Sequence, residues 1–409
     1  NTLLQHGQMV DKVMELLAVL NTDLDTGMLS RIRRQLKNSL PPFSAETVPG
    51  LVPNVITGRI ANRLDLMGPN YIVDAACASS LIATEQALKE LRCGRCDMVL
   101  TGGIQSSIPP QLYMMFSQLN GLSHSDLRPF GSGADGTLLG EGLGILVLKR
   151  LADAELDGDR IYALIKGVGS SSDGRALGLL APRGEGQQVA MERAYLENNI
   201  APESIELVEA HGTGMPLGDH TEVETLCRIY GGRDRELPRR ALGSVKSMIG
   251  HCIPAAGAAG IIKMALALND RILPPTLCES VNPELGLDAT SLYVNNESRP
   301  WVHGDSKLPR RAGINAFGFG GINAHAILEE YTGAAESFHS PVHYQWSSEL
   351  VLFSAPNPEA MVGLIRDVRQ TVVSDSGLKL SDIAYTLGEN EHGNCRLAIT
   401  CVDTEDLIN

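Results

Sequence analysis

Apolar residues recur at a helical interval over Leu81–Arg92, with Leu81, Leu88 and Leu91 on one face, and then tighten into the short run Met98–Leu100 before Gly102 and Gly103. The alternation continues along the chain. Strands are predicted at Gly144–Leu148, Ile161–Val168, Ile205–Ala210, Ala241–Val245, Ala312–Ala316 and Ala324–Leu328, with helices near 186–198, 219–230 and 255–269. This order predicts an α/β fold in which helices cover sheets. After Glu330 the period disappears in TGAAESFHSPVHYQ, so 1–330 reads as one domain and 331–346 as a linker. A small α/β unit is predicted over 347–409. Its parts are a strand at 350–354, a helix from Pro358 to about 371 with Asn357 as N-cap, a short helix at 381–386 and a strand at 396–402. No internal repeat is visible in the sequence.

Composition narrows the functional classes. The chain has 409 residues, 43% of them hydrophobic, enough for a large core. A formal net charge of −14 argues against nucleic acid or anionic lipid as partner. Basic residues cluster at Arg31, Arg33, Arg34 and Lys37, at Arg239 and Arg240, and at Lys307, Arg310 and Arg311; these read as solvated faces, one of which an acidic protein could use. No apolar run is long enough for a bilayer span, and residues 1–20 lack the form of a signal peptide, so a cytoplasmic, membrane-free location is expected. Eight dispersed cysteines fit a reducing compartment. The pair Cys93 and Cys96 has no second pair to complete a zinc site, and no metal is expected.

Candidate chemistry begins in VDAACASSLIA, where Cys77 sits among Ala75, Ala76, Ala78, Ser79 and Ser80. A helix starting just after Cys77 would aim unpaired N–H groups at the sulfur and favour thiolate, while small neighbours would leave room for a substrate. Sulfur nucleophiles need proton handling and a site for developing negative charge. VEAHGTGMPLGD places His211 at a strand end, and GSVKSMIGHCIPAAGAAG places Lys246 and His251 after another strand. In NAFGFGGINAH, Gly318, Gly320 and Gly321 interrupt a strand, where a bent backbone can present an oxyanion donor. No Walker motif or strand–GxGxxG–helix unit supports phosphate cradling instead.

Taken in order, DAACASSL, LRPFGSGADGTLLGEGLGILVLKRL, EAHGTGMPLGD, GSVKSMIGH and AFGFGGINAH resemble the β-ketoacyl synthases, the condensing enzymes of fatty acid and polyketide assembly. The resemblance covers roughly residues 50–330, and 347–409 resembles the small unit joining ketosynthase to acyltransferase in type I synthases. It implies the thiolase fold, with layers ordered helix, sheet, helix, sheet, helix. It also implies an opening strand and roughly another hundred residues before the nucleophile, which this chain lacks, so the first half is expected to miss its leading strand.

The same resemblance implies that Cys77 accepts the acyl group and that His211 and His251 promote decarboxylation and stabilise the enolate. It makes Lys246 their tuner, with Glu222 as its ion partner, and the N–H groups of Cys77 and Phe319 the oxyanion hole, the Phe319 ring serving as a gate. Thr213, Gly318, Gly320, Gly321 and Asn323 are the expected substrate-binding positions. Acyl carrier protein, an adjacent acyltransferase and a second copy of the chain, near VLTGGIQ, are the implied partners. No bound cofactor is implied, the substrates being carried on phosphopantetheine. Met215, Gly131 and Ala78 depart from the usual residues, and Ala78 together with LVPNVITGRIANRLDLMGPNY points to iterative synthases. A thiolase would need a second cysteine in FGFGGINAH, a non-catalytic partner protein typically loses Cys77, and a non-elongating transacylase typically loses one histidine.

Overall fold

The computed structural model describes residues 2–20, 25–40, 52–175, 178, 181–231, 240–304, 308–333, 348–374, 377–388 and 393–409, with nothing stated of the side chains of 2–7. It divides into two units, Asn1–Phe338 and His339–Asn409. Most of the expected linker, from 334 onward, lies outside the described residues.

The first unit carries helices α1 (Thr2–Leu20), α2 (Thr26–Ser39), α3 (Asn54–Arg63), α4 (Ser79–Arg92), α5 (Pro110–Gln118), α6 (Leu151–Leu156), α7 (Gly184–Glu197), α8 (Pro216–Tyr230), α9 (Lys246–Ile249) and α10 (Ala256–Asp270). Its strands are β1 (Met98–Gln105), β2 (Gly142–Lys149), β3 (Leu164–Ser172), β4 (Leu207–Glu209), β5 (Arg240–Gly243), β6 (Ile272–Leu273), β7 (Leu292–Val294), β8 (Arg299–Pro300), β9 (Arg311–Gly318) and β10 (Ile322–Glu329). The predicted strands and the predicted helices of this unit are all present, their ends shifted by a few residues. Helices α1 to α3, α5, α6 and α9 were not anticipated. α2 and α3 bury none of their residues, so they add nothing to the core from which the other elements were read.

Six strands form one sheet in the order β3-β10-β9-β4-β5-β7. β9 and β10 are antiparallel neighbours, β10 pairs antiparallel with β3, and β9, β4, β5 and β7 run parallel. β1 and β2 form a separate antiparallel pair. α4 and α10 lie between that pair and the large sheet. Leu81, Ile261, Met264, Ile314 and Leu328 fill this layer, with Leu146 of β2 packed against it. Each such fully buried side chain contributes about 1.5–3 kcal/mol. On the other face of the large sheet, Met191 and Tyr195 of α7 and Val223 and Leu226 of α8 pack on Val208, Leu242 and Ile327.

A repeat invisible in the sequence emerges from this packing. The 3-10 turn Ala76–Ala78 leads into α4, which is followed by the antiparallel pair β1 and β2 with α5 between them; the 3-10 turn Ile253–Ala255 leads into α10, which is followed, after the short strands β6 to β8, by the antiparallel pair β9 and β10. Ala76 and Ile253 occupy equivalent places, and both have left-handed backbones, with φ of 48° and 45°. A non-glycine residue there is strained, and a β-branched one more so. The first turn holds Cys77 directly, and the second follows His251 by two residues, so both groups arrive where a central helix begins.

The small residues around Cys77 serve this packing. Ala78 is fully buried, and a Cβ on Gly257 would sit 2.7 Å from Leu81 Cγ, so α4 and α10 touch because position 257 is bare. A Cβ on Gly318 would meet the Ala75 carbonyl oxygen at 2.6 Å. The expected open space around the sulfur is therefore largely filled by backbone, and Cys77 is only 4% exposed.

Basic residues read as solvated faces are partly internal. Arg240 is buried and donates to Ser291 Oγ at 2.7 Å, while Arg310 and Arg311 pair with Glu330 and Glu329. Arg239 and Lys307 lie outside the described residues. In the second unit β11 (Glu349–Ala355) and β12 (Cys395–Cys401) pair antiparallel, with α11 (Pro358–Ser374), α12 (Leu380–Gly388) and α13 (Thr404–Ile408). Asn357 Oδ1 accepts from the Ala360 N–H at 2.8 Å, the predicted N-cap. Among the described residues no helix is long and apolar enough to cross a membrane.

Candidate active site

Three elements deliver the chemistry. The turn before α4 brings Cys77, the loop after β4 brings His211, and the turn before α10 brings His251. Their ligating atoms all lie within 4.8 Å of one another. His251 Nε2 is 3.1 Å from Cys77 Sγ, and the two imidazole rings stand edge to face with centroids 5.4 Å apart.

Backbone contacts decide which ring nitrogen carries the proton. The Phe317 N–H donates to His211 Nδ1 at 3.4 Å, and the Ile253 N–H donates to His251 Nδ1 at 3.3 Å. A neutral ring that accepts at Nδ1 is protonated at Nε2. Burial, followed by the charge of Lys246, holds both histidines well below the usual imidazole range, so both rings are neutral near pH 7; His251 adds a smaller push on His211. The site thus presents two Nε2–H donors. A cysteine and two histidines also form a zinc-type donor set. Binding a cation at both Nε2 atoms would force protons onto Nδ1, against the Phe317 and Ile253 amides.

The thiol departs from its expected state. The helix start and nearby N–H groups were expected to favour thiolate, but burial dominates and pushes Cys77 up to about 11. Lys246 and the backbone N–H groups of Phe319 and Cys77 oppose that rise without cancelling it. Those two amides point at the sulfur and can serve an oxyanion formed on a Cys77-bound acyl group. With a pKa near 11, the thiolate fraction rises about tenfold per pH unit across the range below it. Alkylation of the Cys77 peptide by iodoacetamide, followed by mass spectrometry, is therefore expected to climb from pH 7 to pH 10 without levelling. A plateau near pH 8.5 would mean an unshifted thiol.

Lys246 and Glu222 are not the expected ion pair. Among the described residues Lys246 has no ion pair within bonding distance, although Glu209 and Glu222 both favour its charge against the lowering effect of burial. Glu222 instead accepts the N–H groups of His211 at 2.7 Å and Gly212 at 2.8 Å, and the Asn315 amide at 2.8 Å. It braces the histidine loop. Glu209 has a matching task, accepting the Val245 N–H at 2.6 Å beside Lys246 and pairing with Lys263 Nζ at 2.7 Å.

Asp219, which was not among the expected site residues, accepts from Thr213, Gly214 and Phe130. Burial pushes its carboxyl up to about 7. Its signal was the Asp closing GMPLGD in the first turn of α8, where a carboxylate suits a helix start.

The remaining expected positions divide. The Phe319 ring lies 5.7 Å from that of Phe116, beside the turn where Gly320 and Gly321 adopt φ of 87° and 78°. Gly318 lies against Ala75. Thr213 is buried, with its N–H held by Asp219. Asn323 donates to Asp173 Oδ1 at 2.7 Å, which fastens the glycine turn to β3.

Comparison with known proteins places this geometry. The N-terminal domain of β-ketoacyl synthase matches residues 25–154, its C-terminal domain matches 162–279, and the ketoacyl-synthetase C-terminal extension matches 282–396. The first two are consecutive parts of one enzyme, and between them they carry Cys77, His211, Lys246 and His251. The chain belongs to the β-ketoacyl synthase family of acyl-transferring condensing enzymes.

Among curated relatives, a component of the polyunsaturated fatty acid synthase of Thraustochytrium sp. is 37% identical over 97% of this chain, and polyketide synthase PksN of Bacillus subtilis is 36% identical over 93%. The chain spans only 14% and 7% of those two proteins. A solved ketosynthase from module 6 of the bacillaene synthase of Bacillus subtilis matches with a TM-score of 0.65 and 38% identity, covering 87% of this chain and 61% of that one. The oxazolomycin ketosynthase domain OzmH KS7 of Streptomyces albus matches with a TM-score of 0.65 and 34% identity, covering 86% and 62%. The fold is thus thiolase-like, with α4 and α10 as its central helices.

Proposed function

We propose that the chain lengthens an acyl group by decarboxylative Claisen condensation. The observation that carries this reading is the convergence of one thiol and two neutral Nε2–H donors within 4.8 Å. In the first half-reaction Cys77 attacks an acyl thioester on a carrier's phosphopantetheine. The new carbon–sulfur bond forms on Cys77, the old one breaks, and the proton from Cys77 ends on the departing carrier thiol. The N–H groups of Cys77 and Phe319 stabilise the oxyanion.

In the second half-reaction a malonyl thioester places its carbonyl oxygen against His211 and His251. The carbon–carboxylate bond breaks, carbon dioxide leaves, and its electron pair forms an enolate held by the two N–H groups. No base is needed, because loss of carbon dioxide itself generates the carbanion. The carbanion bonds to the acyl carbon, the bond to Cys77 breaks, and the sulfur recovers a proton from solvent. A β-ketoacyl thioester remains on the carrier. Lys246 supports this by keeping the imidazoles neutral, and the Phe319 ring gates entry.

The wider assignment follows the same relatives. Acyl carrier protein supplies both substrates, which are bound through their own phosphopantetheine, and an acyltransferase or other synthase domain is the covalent neighbour. Residues 1–330 form the ketosynthase domain, 331–346 a linker and 347–409 the ketosynthase-to-acyltransferase unit. Thr213, Gly318, Gly320, Gly321 and Asn323 shape the substrate path. Half-exposed Met98, Leu100 and Ile104 on β1 suit a homodimer contact, and the cytoplasm is the working compartment. The similarity to a polyunsaturated fatty acid synthase favours iterative use. The test loads the chain with a panel of acyl thioesters, adds malonyl carrier protein and weighs both proteins. The expected result is transfer of the acyl mass from Cys77 to the carrier, extended by two carbons; a carrier that keeps only its malonyl mass would contradict the reading.

A further inference from the structure

Behind His211 runs a line of buried polar side chains outside the Cys77, His211 and His251 cluster. Glu222 Oε1 accepts the Asn315 amide N–H at 2.8 Å, and Asn315 Oδ1 lies 2.6 Å from His325 Nδ1. His325 Nε2 lies 2.9 Å from the Tyr195 hydroxyl, which is 2.7 Å from the Tyr230 hydroxyl. All five are 5% exposed or less. Unpaired, such groups would each cost about 1–3 kcal/mol, so the fold has reason to keep the chain complete.

Its direction is fixed by donor and acceptor identity. The Asn315 amide nitrogen must face the Glu222 carboxylate, so its oxygen faces His325, which must donate from Nδ1. His325 Nε2 then accepts from Tyr195, whose oxygen accepts from Tyr230. Burial holds His325 neutral, down at about 3, so no proton competes for Nε2. A second observation supports a built network. Gly313 is bare where a Cβ would lie 2.8 Å from His325 Cε1 and 3.1 Å from the Tyr230 hydroxyl. Asn315 and His325 are also direct cross-strand partners on β9 and β10.

β9 reaches His211 twice. Asn315 does so through Glu222, and Phe317, two residues on, donates to His211 Nδ1. Resting on the condensation reading above, we propose that Asn315 and His325 are positioning residues that hold Glu222, and through it the His211 ring, for the decarboxylation half-reaction. Cys77 and His251 stand on the other two turns, outside this line.

The test separates the two half-reactions in the intact chain. Acylation of Cys77 is followed with the hexanoyl thioester of N-acetylcysteamine, and decarboxylation with malonyl carrier protein. A misplaced catalytic ring costs about a hundredfold. Asn315→Asp keeps the shape but sets a carboxylate against Glu222, so decarboxylation is expected to fall by about that factor while acylation stays within about threefold. Two facing carboxylates share a proton once pH is lowered, restoring a donor. The loss relative to wild type should therefore shrink between pH 8 and pH 6. Asp219, itself pushed up to about 7, and Lys246 also act on Glu222 in wild type and variant alike, so the loss is read as the ratio of variant to wild type at each pH. Tyr195→Phe removes one hydroxyl with little change of volume and should give a smaller loss confined to the same half-reaction.

Equal losses in both half-reactions, a pH-independent deficit in Asn315→Asp, or wild-type decarboxylation in both variants would overturn the proposal. If Asn315→Asp does not fold, Tyr195→Phe decides by the same comparison. Wild-type chain inactive in both assays would instead indict the condensation reading itself.

Discussion

Cys77→Ala is expected to abolish covalent loading: after incubation with an acyl thioester, intact mass shows no acyl adduct, against near-complete labelling of the wild type. The expectation rests on position, because eight cysteines are present and several are more exposed. Cys93 is exposed and held below the ordinary thiol range by its hydrogen bonds to Arg95, so on thiolate character alone it should react first. Cys77 is buried and pushed up to about 11. It wins with a thioester because its own N–H and that of Phe319 stabilise the tetrahedral oxyanion, an advantage no surface cysteine has. One such donor is worth about 3–4 kcal/mol. Retained stoichiometric acylation in Cys77→Ala would show that another thiol does the work. Iodoacetamide, which forms no oxyanion, should reverse the preference and label Cys93 first at pH 7.

The second large effect divides the two half-reactions. His251→Ala is expected to lower carbon–carbon bond formation by about a hundredfold to a thousandfold, the usual loss for one oxyanion donor, while Cys77 acylation stays within about tenfold. His251 Nε2 lies 3.1 Å from the sulfur, so some effect on acylation is expected. The larger effect falls on decarboxylation, where the enolate oxygen needs both N–H groups. Single-turnover acylation and release of carbon dioxide from malonyl carrier protein report the two steps separately. Condensation at the wild-type rate would remove His251 from its role. His251→Asn or Gln, which can return an N–H donor but no titratable ring, should recover part of the loss, because the site uses the ring neutral.

The sequence carried the reacting groups openly and their surroundings poorly. Cys77, His211 and His251 stood in short stretches whose small residues and glycines announced tight turns, and the apolar rhythm placed the sheet and its covering helices. It could not convey that Ala76 and Ile253 share a strained backbone, because nothing in an alanine or isoleucine side chain signals a left-handed turn. The matching order of turn, helix and antiparallel strand pair was hidden too, because α5 interrupts one pair and β6 to β8 precede the other.

Partner choice was the least legible feature. Glu222 was expected to face Lys246 because opposite charges suggest a pair, yet three N–H groups claim its carboxylate. The thiol's state was misjudged through the same omission: the helix start is local and readable, whereas burial comes from β9, α10 and the glycine turn, more than 170 positions away in the case of His251. His325 and Asn315 lay within NAFGFGGINAH, but their task depends on Tyr195 and Tyr230, which no spacing rule connects to them.

The most direct measurement of the central claim is stoichiometry. A chain fully acylated on Cys77 is mixed with malonyl carrier protein, and carbon dioxide released, acyl mass lost from the Cys77 peptide and β-ketoacyl mass gained by the carrier are followed together. The account predicts equal amounts of all three, formed at one rate. Loss of the acyl group without carbon dioxide, or carbon dioxide without a β-ketoacyl product, would contradict it.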